Sequence, residues 1–137
     1  QVQPLVVHVR LGDYKKENSF GLLSSNYYSE GIEIAFQKYK FGEIWLFSDE
    51  MSIAKDVIPH NFQHSMREFG DLRLSSSETL AIMSLGFGFI IANSTFSWWA
   101  SYLRYNRSAK VVAPSPWFIK NNPKLIIPPD WTAQNRC

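Results

Sequence analysis

Three short apolar runs in this chain each break abruptly into polar residues at their C-terminal ends. Leu5-Val6-Val7-His8-Val9-Arg10 leads into Leu11-Gly12-Asp13, and Glu43-Ile44-Trp45-Leu46-Phe47 into Ser48-Asp49-Glu50. Phe89-Ile90-Ile91-Ala92 leads into Asn93-Ser94-Thr95. Runs of this length and β-branched content read as buried strands. Lys110-Val111-Val112-Ala113 reads as a fourth, and residues 61–64 as a short additional one. Helical patterns separate them. Residues 27–39 place Tyr28, Ile32, Ala35, Phe36 and Tyr39 on one face behind a Ser25 or Asn26 cap. Residues 51–57 form a short helix closed by Pro59, and Ser75 with Glu78 has capping-box spacing before another. Trp99, Tyr102 and Leu103 mark a helix over residues 95–105. Strands alternating with helices require an α/β fold, a parallel sheet with helices on its faces. In such sheets ligands bind beyond the carboxyl ends of the strands, where all three polar breaks fall.

A length of 137 residues suits one domain, 1–137, with a real core, and residues 113–137 read as a proline-rich wrapping tail. The chain opens on Gln1-Val2-Gln3-Pro4 and enters a strand at once, without an initiator methionine. We therefore expect a piece of a longer protein whose N-terminal portion is absent. The net charge is +2 with no basic stripe, which argues against nucleic acid as a partner. The single cysteine, Cys137, excludes a disulfide framework and fits a reducing compartment. No apolar run approaches the roughly 18 residues of a membrane span.

Each polar break has a functional and a structural reading. His8 and Arg10 share a face of their strand, and Arg is suited to bidentate phosphate recognition. The alternative is a structural ion pair from Arg10 to Asp13. Asp49 can accept from a ribose hydroxyl or a guanine N–H, or cap the next helix; the cap is favoured. Ser75 and Glu78 are likewise a cap first and a nucleotide contact second. Ser94 or Thr95 opens a helix whose first N–H groups lack partners within it, the shape of a phosphate-binding element. It is equally the shape of an ordinary capped junction. His60 and His64 are four apart, but no third ligand completes a metal set. The aromatics Trp98, Trp99, Tyr102 and Tyr105 read as core and interface. No G-x-S-x-G, G-x-G-x-x-G or G-x-x-x-x-G-K motif is present.

Taken together, His8-Val9-Arg10-Leu11-Gly12-Asp13-Tyr14, Phe47-Ser48-Asp49-Glu50, residues 90–100 (IIANSTFSWWA) and Val112-Ala113-Pro114 with Trp117-Phe118 resemble the successive motifs of the family 11 glycosyltransferases, the α-1,2-fucosyltransferases. The resemblance covers nearly the whole chain. It implies a Rossmann-like parallel sheet flanked by helices, one lobe of a GT-B enzyme: the C-terminal, donor-binding lobe, with the N-terminal acceptor lobe absent. The implied reaction is inverting transfer of L-fucose from GDP-β-L-fucose to a sugar hydroxyl of a glycan acceptor, commonly a galactoside. No metal or other cofactor is implied. Carried over by residue, Arg10 would hold the pyrophosphate, with His8 and Asp13 supporting the nucleotide end and orienting Arg10. Arg10 and Asp13 are then the catalytic candidates. The donor contacts would be His8, Arg10, Asp49, Glu78, Asn93, Ser94, Thr95, Phe96 and Ser97, the β-phosphate falling to Ser94, Thr95 and Phe96. The chain departs from the family pattern at Leu11, where many members have Arg, and at Thr79, where many have an acidic residue beside the position of Glu78. It departs again at Gly86-Phe87-Gly88, where Cys-Lys-His is common. A cytoplasmic enzyme with peripheral membrane contact is the expected setting.

Overall fold

The computed structural model describes residues 2–11, 23–70, 73–118 and 126–137. The chain runs β1 (Pro4–Val9), α1 (Ser25–Lys38), β2 (Glu43–Ser48), α2 (Met51–Ala54), β3 (Met66–Phe69), α3 (Ser76–Met83), β4 (Gly88–Ile90), α4 (Thr95–Tyr102), β5 (Lys110–Ser115) and β6 (Thr132–Asn135). The strands form one sheet in the order β3-β2-β1-β4-β5-β6, and every pairing is parallel. This is the doubly wound strand order of Rossmann folds, whose direction of winding reverses between β1 and β4.

Alternation along β1 divides the core between two faces. Leu5, Val7 and Val9 pack with Tyr27, Tyr28 and Ile32 of α1 and with Ala54 of α2. Val6 faces the other way, into a cluster with Phe47, Met83 of α3, Ala100 of α4, Trp117 and Trp131. Both faces of the central strands are covered, so they carry unbroken apolar runs. Tyr27 is fully buried, and its hydroxyl donates to Ile91 O at 2.7 Å just past β4. Burial pushes its phenol well above the usual range, so it remains a donor.

Several elements differ in detail from the sequence reading. The α1 cap is Ser24, whose side chain accepts from Tyr27 N, one residue before the expected Ser25 or Asn26. The third strand is Met66–Phe69, not residues 61–64, which lie in the 3-10 turn His60–Ser65. As an edge strand it exposes Arg67 and Glu68 and carries no continuous apolar run. The tail also contains a strand, β6, in register with β5 from Thr132 opposite Val112 to Asn135 opposite Ser115. On α4 the buried stripe is Ser97, Ala100 and Ser101, small residues that let the helix sit close to the sheet. Of the aromatics expected in core and interface, Trp98 packs inward and donates to Ile126 O at 2.6 Å, whereas Trp99, Tyr102 and Tyr105 are exposed and so not part of the core.

Two other features hold the second half together. Arg104 is buried and donates to Ala109 O, Ser101 O and Arg107 O, and it pairs with Asp130 at 3.3 Å. It therefore joins the end of α4 to the approaches of β5 and β6. The Gly86-Phe87-Gly88 step admits no side chains at its ends. A Cβ at Gly86 would lie 2.7 Å from Val6 Cγ2, and one at Gly88 2.6 Å from Phe41 Cζ. The departure from the family pattern there is matched by the bulk of Phe41 and Phe89 pressing into the space.

Candidate functional site

The carboxyl ends of β1, β2 and β3 and the N-termini of α3 and α4 open onto one cleft of about 430 Å³. It lies at the edge predicted from the polar breaks and includes the point where the winding reverses. His8, Arg10, Ser48, Asp49, Ser94, Thr95 and Phe96 all line it.

His8 is the last-but-one residue of β1 and is only 5% exposed. Its Nδ1 is buried and has no hydrogen-bond partner among the described residues. Burial lowers its pKa from 6.5 to about 4, and the cation of Arg10 adds to that effect against the opposing charge of Asp49. The imidazole is therefore neutral at pH 7. A buried ring nitrogen without a partner is a group that a bound ligand can satisfy.

Arg10 follows directly on β1. Its Nε lies 3.9 Å from Asp49 Oδ2, and the two side chains are 31% and 27% exposed. Asp49 Oδ1 accepts from Leu11 N at 3.0 Å. Asp49 thus fastens the end of β1 to the end of β2, and it makes no cap for α2, whose N-cap is Glu50 without a side-chain bond. The cap reading of Asp49 is therefore not met, while its place in the cleft lining keeps it among the candidate donor contacts. Asp13, the other catalytic candidate, lies outside the described residues.

Ser94 caps α4 in an extended conformation, and its Oγ accepts from Phe96 N at 3.2 Å. The hydroxyl hydrogen of Ser94 is still available to donate, beside the exposed Thr95 and the positive end of the helix dipole. Two predicted contacts belong instead to the frame of this turn. Asn93 is buried, with Nδ2 donating to Trp117 O at 3.2 Å. Ser97 is fully buried, with Oγ donating to Ala92 O at 3.3 Å. Neither lines the cleft.

Glu78 also stays out of the cleft. It completes the capping box of α3: Ser75 Oγ accepts from Glu78 N, and Glu78 Oε1 accepts from Ser75 N, each at 3.2 Å. Those hydrogen bonds hold its carboxyl below the usual range. Thr79, one residue on, does line the cleft, together with Phe47, Phe69, Leu74 and Ser76. Apolar residues give no chemical signal in a sequence; only strand register brings Phe47 and Phe69 here. Among the described residues no cluster of three potential metal ligands is found, and His60 and His64 stand in the 3-10 turn after α2.

The model for Glycosyl transferase family 11 matches residues 2–134. The chain belongs to that family. The family 11 chain is 30% identical over 120 residues to an alpha-1,2-colitosyltransferase of Escherichia coli, covering 82% of this chain and 40% of that protein. It is 28% identical over 129 residues to the O-antigen biosynthesis glycosyltransferase WbnK of Escherichia coli, covering 91% of this chain and 42% of the relative. It therefore spans about two-fifths of the length of the relatives that it matches. Among solved structures, the ADP-heptose LPS heptosyltransferase II of E. coli superposes with a TM-score of 0.57 at 10% identity, over 98% of this chain and 38% of that one. At that identity the likeness speaks for the fold alone: a parallel sheet flanked by helices that resembles one lobe of a GT-B glycosyltransferase.

Proposed function

We propose that this family 11 chain is the donor-binding lobe of an inverting α-1,2-glycosyltransferase that transfers L-fucose from GDP-β-L-fucose to a galactoside hydroxyl. One observation carries the reading: Arg10 from β1 and the Ser94–Thr95 end of α4 line the same cleft at the reversal of the sheet. As the sugar leaves, negative charge grows on the GDP β-phosphate. A guanidinium and a capped helix N-terminus meet that charge without a metal, and preorganised groups of this kind typically contribute a few kcal/mol each. Asp49 keeps the end of β1 in place, and neutral His8 offers a ring nitrogen to the nucleotide. Asp13 is a candidate base for the acceptor hydroxyl, the alternative being that it pairs with Arg10.

The test is a competition panel of GDP-fucose, GDP-mannose and UDP-sugars against bound GDP, with transfer assayed in the full-length protein. GDP-fucose should compete best, transfer should survive chelation of divalent cations, and Arg10→Ala should abolish transfer while the fold persists. Wild-type turnover in Arg10→Ala refutes the reading.

The relative named for colitose supports a second reading, the same linkage chemistry with another sugar on the donor. Preference for a different sugar nucleotide in the panel would select it. The alternative is that this chain by itself is a GDP-sugar-binding module, inactive without a separate acceptor lobe. Calorimetry with GDP paired with a transfer assay on these residues separates the two, binding without turnover favouring the module. A cytoplasmic setting, with peripheral membrane contact through the glycan substrate, goes with this proposal.

A further inference from the structure

The cleft has an aromatic floor, and it lies along a single rung of the sheet. His8 is paired with Phe47 across β1 and β2, and Phe47 with Phe69 across β2 and β3. Side chains at paired positions of parallel strands share a face, so the three rings stand side by side on the side of α3 and α4. Phe96, from the first turn of α4, continues the row with its ring centroid 6.2 Å from that of His8. At the other end Phe47 and Phe69 stack at 4.7 Å with their planes 14° apart. Phe47 is only 2% exposed and acts as a backing, whereas Phe69 is half-buried and lines the cleft with Leu74 and Thr79.

We infer that Phe69 is the platform for the nucleobase of the donor. The inference rests on the GDP-sugar reading above and extends it to the far end of the cleft. Charge is concentrated at the β1 and α4 end, where Arg10, Ser94 and Thr95 take the diphosphate. Two strand spacings, about 10 Å, separate the backbone of His8 from that of Phe69. An extended nucleoside diphosphate crosses that distance with its ribose above His8 and Phe47. The base then stacks on the face of the half-buried Phe69 ring turned away from Phe47, which covers the other face, while Trp45 packs against the ring at 5.3 Å. Leu74 and Thr79 line the same cleft.

Calorimetry of the full-length protein with GDP tests this. Stacking on an aromatic ring is worth enough that Phe69→Leu, which keeps apolar bulk and loses the ring, should raise Kd about tenfold. Phe69→Tyr should bind within about threefold of the unaltered protein, since the π-face survives. Phe69→Ala should weaken binding at least as much as Phe69→Leu, and if it fails to fold the leucine and tyrosine variants decide. Unchanged affinity in Phe69→Leu, or equal loss in the leucine and tyrosine variants, overturns the assignment. Arg10→Ala separates the two levels. If it loses GDP while Phe69→Leu keeps it, only the nucleobase assignment falls; if it keeps GDP, the functional reading falls.

Discussion

Between pH 7 and pH 5 the unfolded chain takes up a proton at His8 that the folded chain refuses. An unfolded histidine titrates near 6.5, whereas burial and Arg10 hold the folded imidazole at about 4. In that window the unfolded state binds more protons, so stability falls as pH falls. The loss begins below about 6.5 and levels off near 4, where the folded ring also protonates. Taking the two midpoints as they stand, the His8 contribution falls by about 2 kcal/mol from pH 7 to pH 5. That is a large share of the 5–15 kcal/mol typical of a domain. Urea unfolding at both pH values, on the unaltered protein and on His8→Leu, isolates it. Other titrating groups cancel in the double difference, and the variant should lose about 2 kcal/mol less than the unaltered protein. The chain has three histidines, so the His8 ring protons can also be followed directly by NMR. A titration midpoint near 6.5, or equal losses in both proteins, would refute the argument that burial governs this residue.

Other expectations follow from single contacts. Ser94→Ala should cost about 1 kcal/mol in chemical denaturation, as the loss of an N-cap does, and should also weaken GDP binding in calorimetry. Tyr27→Phe removes the donor to Ile91 O at 2.7 Å and leaves that carbonyl buried, which should lower stability by about 1–2 kcal/mol without affecting GDP affinity. Arg104→Met strips three carbonyls and Asp130 of their shared donor and should cost about 3 kcal/mol, measured by thermal melting. Arg104→Lys should not restore that stability, because one ammonium cannot reproduce the fork of the guanidinium.

The central strands were legible because burial on both faces writes itself as unbroken runs such as Leu5-Val6-Val7. The Ser75–Glu78 cap was legible because its two hydrogen bonds depend on local spacing alone. Edge strands carry no such signature. Met66–Phe69 is half exposed, and Thr132–Asn135 is polar but for Ala133, so tertiary pairing alone makes them strands. On α4 the large aromatics dominated the helical pattern, yet the close approach to the sheet is made by Ser97, Ala100 and Ser101. In the site, charged and hydroxyl residues at strand ends announced Arg10, Asp49 and Ser94. Their division of labour was not announced, because whether Glu78 or Thr79 faces the cleft depends on how α3 is rotated. Phe47 and Phe69 were silent for another reason: an apolar ring has the same sequence signature in a core as in a cleft.

β1 precedes the other five described strands in the sequence and is one of the two innermost in the sheet. On the ribosome it can pair with β2 and then β3 as residues 4–69 emerge, which completes half of the sheet. Its other edge has no partner until Gly88–Ile90 follows, a few seconds later at about 5–20 residues per second. Through that interval the nascent chain presents Leu5, Val6 and Val7 along an open edge, the kind that recruits other chains. The cleft therefore does not exist in either half of the sheet; it forms when two halves, synthesised in succession, are joined along β1 and β4.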